Sequence, residues 1–308
     1  MIKLVILKFA FSACLAVLTA TILFPSCVFA EPQHDRAFWQ AIAKSRYAVP
    51  EHESADALAH EVSALLASPD PELRDELAYS ILATWIYRPN TLSTPMLISL
   101  TDEWRANLKV GIGEAGTNSV LRRSFSALCL SEMAKREAKS PFMGADRYHS
   151  LVAEAVSYLQ AERDLRGYDA ALHWIHATAH TSDLLGALAD SSLLTKEEAA
   201  GIMRAIAARL TTATQVYTQG EQDRLATAVV SVIRRKDFDA SGFETWLNQI
   251  QNDDRDVWAA TTVESLARYQ NHDYTLQALV VRLSLEAESA QLTQYRQEVL
   301  AVLRKRFS

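Results

Sequence analysis

Glu162-Arg-Asp-Leu-Arg-Gly-Tyr-Asp-Ala-Ala-Leu-His173-Trp174-Ile-His176-Ala-Thr-Ala-His180-Thr-Ser-Asp183-Leu-Leu-Gly-Ala-Leu-Ala189 is the stretch on which the reading of this chain turns. Its second half, rich in Ala and Leu, predicts a helix over 171–189. Three of the eight histidines fall here at spacings of three and four, with an aspartate three further on. On a helix, His173, His176, His180 and Asp183 share a sector of roughly 80°, taking about 100° per residue. Trp174, Leu184, Leu185 and Leu188 lie mostly on the other side, facing a core.

The same Ala- and Leu-rich texture extends in both directions, with few glycines and no sustained strand alternation. Toward the N-terminus, helices are expected over 35–48 (stopped by Pro50), 54–67, 68–87 and 94–109. The third opens on Ser68-Pro69-Asp70-Pro71-Glu72, and the fourth has Thr94 as N-cap and Pro95 at the first helical position. Gly111-Ile-Gly113-Glu-Ala-Gly116 reads as a loop, since it lacks the spacing of a phosphate-cradling motif. Helices over 119–138 and 146–162 follow it, and Gly167 is placed to end the second in a left-handed conformation. Beyond Ala189, Thr195-Lys-Glu-Glu198 is a capping-box start for a helix to about Thr211. Further helices are expected over 220–235, 243–251, 257–288 (broken near Asn271) and 293–306. About a dozen helices on short loops predict an all-α fold of stacked antiparallel helix pairs, an α/α superhelix or HEAT-like array, with no internal sequence repeat to support it. The six tryptophans read as packing residues.

Met1–Ala30 carries Lys3 and Lys8, no acid and a long apolar run, and ends Val28-Phe29-Ala30 before Glu31. That pattern predicts a secretory signal peptide cut after Ala30, and a periplasmic or secreted single all-helical domain over 31–308. Two other outcomes stay open: lipid modification at Cys27, where Phe24-Pro25-Ser26 matches a lipobox poorly, and retention of the segment as an anchor. The full chain has a net charge of −6, and residues 31–308, two lysines fewer, −8. An acidic chain argues against nucleic-acid binding, and Arg304-Lys305-Arg306 suits a helix C-terminus. Of three cysteines only Cys129 follows Ala30, in an apolar helical pattern where a buried, inert thiol is the norm.

The histidine row admits two readings. Imidazoles at i and i+4 can place two nitrogens on one divalent transition metal, with Asp183 as ligand or orienting group. Ala177 follows His176, so the glutamate base of a metalloprotease helix is missing, and a carboxylate would come from elsewhere: Asp75 or Glu76, Asp164, Glu221 or Asp223. Alternatively the imidazoles hydrogen-bond across a helix seam, and no metal or other cofactor is bound. Arg163 and Arg166, beside several acids, read as ion-pair partners. The acids opening the helices at 71–77 and 220–225 are explained by the helix dipole. No Gly-x-Ser-x-Gly is present.

Four segments in order, Leu73–Tyr79, Ser119–Leu128, Glu162–Tyr168 with His173–Leu185, and Glu221–Ala226, together resemble the bacterial domain-of-unknown-function family 2785. The most specific part is Arg-Asp-x-Arg-Gly followed by Trp-x-His-x-x-x-His-x-x-Asp. The resemblance implies a helical fold without an established activity. It picks out Arg163, Asp164, Arg166, Gly167, Trp174, His176, His180 and Asp183, and leaves His173, where the family has a glycine, outside any shared site. The apparent signal peptide departs from a family associated mainly with unexported proteins. The sequence therefore points to a binding or scaffolding module for a protein or small molecule, with a polar His/Asp groove. The competing class is a metal-assisted hydrolase with His176, His180 and Asp183 at the metal. Whether any reaction is catalysed stays open at this level.

Overall fold

Asp35, Ser54, Ser93, Thr195, Asp239 and Thr262 each accept a hydrogen bond from a backbone N–H in the first turn of the helix that follows. These side chains satisfy donors that a helix start leaves without intrahelical partners. The computed structural model describes residues 34–307, and the expected signal peptide, Met1–Ala30, lies outside the described residues. The helices are α1 Arg36–Lys44, α2 Ala55–Ala64, α3 Ser80–Tyr87, α4 Thr94–Asn107, α5 Ser119–Lys139 and α6 Ala145–Ala161. They continue with α7 Ala177–Ala189, α8 Lys196–Thr212, α9 Glu221–Ile233, α10 Ala240–Asp253, α11 Val263–Leu285 and α12 Ala290–Phe307. A 3₁₀ turn, Leu65–Ala67, follows α2, and a π-helical segment, Glu72–Tyr79, leads into α3.

From α5 onward the helices form two layers. One layer is α5, α7, α9 and α11, each packed on the next; α6, α8 and α10 pack likewise in the other. Two ion pairs that follow the same order along both helices, Asp183–Arg224 and Asp190–Arg234, show that α7 and α9 run parallel. Tyr148, early in α6, donates to Leu188 O, late in α7, so consecutive helices alternate in direction. The stacked all-α architecture expected from the sequence is the one the chain adopts. Gly186 faces α9, where a Cβ would make ordinary van der Waals contact 3.6 Å from Ala228 Cα. The hydrophobic core runs without interruption from Trp39 in α1 to Leu303 in α12. None of the described helices is long and apolar enough to cross a membrane.

Several local expectations are corrected. The N-cap of α4 is Ser93, not Thr94, so Pro95 occupies the second helical position. The 257–288 stretch is one unbroken helix from Val263, because Thr262 and Ser265 close a capping box and nothing interrupts the ladder at Asn271. Gly167 ends no helix. α6 has finished at Ala161, and Gly167 is needed because a side chain there would collide with Glu221 and Gln219. Four tryptophans pack inside, whereas Trp174 and Trp258 are 38% and 69% exposed.

The largest correction concerns 171–189. The helix begins only at Ala177; Ala171–Trp174 belong to a small antiparallel hairpin, β1 Tyr168–Asp169 with β2 His173–Trp174, and Ile175 and His176 join it to the helix. Asp169 Oδ1 accepts from the N–H of Ala171 (2.8 Å) and Leu172 (2.9 Å), a side-chain turn that competes with helix formation. His173 and His176 both adopt positive φ, 56° and 52°. Neither can continue a right-handed helix there. The four polar residues therefore do not form one helical row: His176 is the N-cap of α7, His180 and Asp183 lie on it, and His173 stays on the hairpin.

Candidate functional site

The 162–176 loop carries the Arg-Asp-x-Arg-Gly motif and sits at the end of the layers where α5, α7 and α9 begin. A loop of this length must satisfy its own backbone polar groups. Three fully buried arginines from three other elements do most of that work. Arg123 of α5 grips the Glu162 carboxylate through Nε (2.7 Å) and Nη2 (3.0 Å), and also donates to the carbonyls of Val110 and Gly111. Arg209 of α8 donates through Nε to Leu159 O (2.9 Å) and through Nη2 to Glu162 O (2.6 Å). Arg74, on the π-helical segment, reaches Ser68 O, Leu172 O and Trp174 O, with its guanidinium 4.8 Å from the Phe125 ring centroid.

The motif's own charges close the other side of the loop. Buried Asp164 accepts from Gly116 N (2.9 Å) and is paired with Arg166, which also donates to Thr117 O. Arg163 is exposed, and its guanidinium has no partner among the described residues. So the expected ion pair holds for Arg166 and fails for Arg163. Asp164 and Arg166 fasten the loop to the Gly111–Gly116 loop; they do not line a groove.

At the start of α7, His176 Nε2 lies 3.1 Å from Gln219 O and 3.4 Å from Glu221 Oε1. A carbonyl only accepts, so Nε2 carries the hydrogen and donates. Burial pushes the Glu221 carboxyl up, but hydrogen bonds from His176 and from backbone N–H groups outweigh it and hold it below its ordinary value. Glu221 is thus more than a dipole partner: of the carboxylates considered from sequence, it is the one paired with a motif histidine, His176. Asp223 is paired with Arg282 instead.

His180 is turned toward α5. Its Nδ1 is 2.8 Å from Ser124 Oγ, and the Ser124 hydroxyl donates to Ile175 O. The single hydroxyl proton is thereby committed, so Nδ1–H must donate and Nε2 is left as an acceptor. Burial drives this imidazole far below its ordinary value, with the charges of His176 and Arg224 acting the same way, so it is neutral at physiological pH. Ser124 is sealed from solvent, and the Ser124–His180 contact positions a ring; it activates no nucleophile. Asp183 is held by Arg224 (2.6 Å), although burial leaves its carboxyl raised above the ordinary value. Among the described residues, no three His, Cys, Asp or Glu side chains are grouped so as to hold a metal ion.

What faces outward is aromatic. Tyr168 (47% exposed) packs edge-on against Trp174 and stacks on His173, and Trp174 stacks on His176 at 4.8 Å between ring centroids. Half-buried Asp75, raised mainly by burial, and half-buried Asp169 lie close by, with Asp75 in electrostatic contact with His173. Beneath the hairpin, Val120, Leu121, Ile175 and Ala177 form a separate apolar cluster that supports it. Sequence reasoning missed Tyr168 and His173 as surface groups, and Arg74, Arg123, Arg209 and Ser124 as anchors. The one available signal was an arginine amid apolar helical neighbours, as in Val120-Leu121-Arg-Arg123-Ser-Phe125.

Residues 108–281 match the model of the family described as "Protein of unknown function (DUF2785)". No curated protein and no solved structure matches the chain.

Proposed function

The chain belongs to the DUF2785 family, and we propose that it is an exported, non-catalytic binding module whose contact surface is the aromatic hairpin Tyr168–Trp174. One observation carries the reading: His176 and His180, the two motif histidines, are 7% and 8% exposed and spent on internal hydrogen bonds, while the hairpin rings stand outside. Aromatic side chains on a rigid base are the residues that most often dominate protein contacts. Here the base is fixed by Arg74 and Arg166 and by the backbone bonds from Ile175 N to Gly167 O and His176 N to Arg166 O. Two π faces beside Asp75 and Asp169 suit a cationic side chain from a protein partner. Export rests on the signal-peptide pattern of Met1–Ala30 and is checked by N-terminal sequencing of the protein recovered outside the cytoplasm.

The test measures fluorescence anisotropy of labelled cationic, neutral and anionic peptides with the wild-type protein and with Tyr168→Ala/Trp174→Ala. Saturable binding of the cationic peptide, lost in the double variant, supports the reading. Equal binding to all three peptides, or no loss in the variant, overturns it. Elemental analysis of the same untagged protein runs beside it. Stoichiometric zinc, manganese or iron that disappears in His176→Ala/His180→Ala would replace this reading with a metal-assisted hydrolase.

A further inference from the structure

At the other end of α5 from the hairpin, a cleft of about 440 Å³ opens where the first turn of α2, the turn joining α3 to α4 and the last turn of α5 meet. It is lined by one acid, Asp56, and one base, Arg136. Neither has a counter-ion among the described residues. Asp56 accepts from Ser93 N (3.0 Å) and Ser93 Oγ (2.5 Å), which ties the turn before α4 to α2. Those donors are neutral, and a carboxylate with two such bonds keeps lone pairs for more. Arg136 is half-buried. Its Nε is sealed without an acceptor, while its Nη nitrogens are not sealed and take part in no hydrogen bond or ion pair among the described residues. A place in the last turn of α5 suits the helix dipole, but an exposed cation would serve the dipole as well. A guanidinium drawn inward gives up hydration without a bond in return.

The two charges share the cleft and do not meet, since no ion pair joins them. A ligand that answers both carries a cation for Asp56 and an anion for Arg136. Asn90, Thr91 and Thr94 line the same cleft, and their side chains make no hydrogen bonds among the described residues. Asn90 is held in the left-handed region, φ 58°, which asparagine adopts more readily than most residues. We propose that this cleft binds a free polar α-amino acid the size of glutamine. Its ammonium donates to Asp56, its carboxylate accepts from the Arg136 Nη groups, and its side chain meets Asn90, Thr91 and Thr94. At roughly 30 Å³ per water-sized group, the volume holds about fifteen non-hydrogen atoms. Glutamine, with about ten, fits with room for bridging waters.

Calorimetric titration of the full chain with L-glutamine, N-acetyl-L-glutamine and L-glutaminamide tests the proposal. The second ligand lacks the cation and the third lacks the anion. Glutamine should bind saturably at one site, at least tenfold more tightly than either. Arg136→Gln should cost glutamine at least tenfold and leave glutaminamide as it was. Asp56→Asn, which keeps an acceptor for Ser93, should cost glutamine as much and leave N-acetylglutamine as it was. Thermal melts followed by circular dichroism establish that both variants fold. Tyr168→Ala/Trp174→Ala should bind glutamine as the wild type does, so failure here is separate from failure at the hairpin. No saturable binding of glutamine, indifference to the loss of either ligand charge, or full affinity in a folded Arg136→Gln protein would each overturn the assignment.

Discussion

Replacing His180 with Gln should remove most of one component of the protein's acid sensitivity. The folded state holds this ring neutral because burial and the nearby charges of His176, Arg224 and Arg74 oppose a proton. The unfolded chain has no such restraint and takes up a proton around its ordinary value of 6.5. Since the unfolded state binds more protons in this window, stability falls as pH falls. The contribution is fully present above about pH 6.5 and is lost progressively as pH drops toward the depressed folded value. One proton corresponds to about 1.4 kcal/mol per pH unit, and the integrated loss for this group between pH 7.0 and 5.5 is about 1.2 kcal/mol. Glutamine keeps an amide donor for Ser124 Oγ and cannot titrate. Urea denaturation followed by far-UV circular dichroism, at both pH values and constant ionic strength, gives the loss for each protein. The other titrating groups are common to both, so the difference between the two losses isolates His180. A variant that loses as much stability as the wild type between pH 7.0 and 5.5 would refute the argument and place the ring in contact with water.

Three further outcomes follow from the anchoring of the 162–176 loop and the packing of α5. Arg123→Met leaves the Glu162 carboxylate buried without its partner and should cost about 3–5 kcal/mol in urea denaturation, much of it recovered in Arg123→Met/Glu162→Met. Gly167→Ala drives a methyl group into Glu221 and Gln219, which should cost about 1–3 kcal/mol and shift the His176 ring resonances in NMR spectra. Cys129 is fully buried and its thiol is pushed well up by burial, so thiol reagents should modify it only at the rate of unfolding. Rapid labelling of Cys129 in the native protein would show that α5 opens.

The buried arginines alter how the family motif is read. Arg-Asp-x-Arg-Gly looks like a charged site because four of its features are polar or conformationally special. In the structure Asp164 and Arg166 face inward to the neighbouring loop, Gly167 makes room for Glu221, and Arg163 alone is free at the surface among the described residues. Buried ion pairs of this kind add little net stability but make a wrongly placed loop expensive. That is the property needed to hold a small aromatic hairpin in one orientation.

Helix content and the start of α8 were legible because they are local. Thr195 and Glu198 close a capping box three residues apart, and apolar spacing marks which face of each helix is buried, whatever the rest of the chain does. The 168–174 hairpin was not legible, because an Ala-rich segment with good helix propensity was overruled. Asp169 offers a competing turn, and Arg74, about a hundred residues earlier, supplies donors for the carbonyls of Leu172 and Trp174. Propensity sums over neighbours in sequence and carries no information about such a partner. The sequence by itself determined that helices form, roughly where they begin, and which residue types gather near His176. Only the tertiary structure decided that His180 turns to Ser124, that His176 meets Glu221, and that Trp174 faces solvent. Those outcomes depend on which buried donor reaches which acceptor across separate helices, and that pairing exists only once the layers have packed.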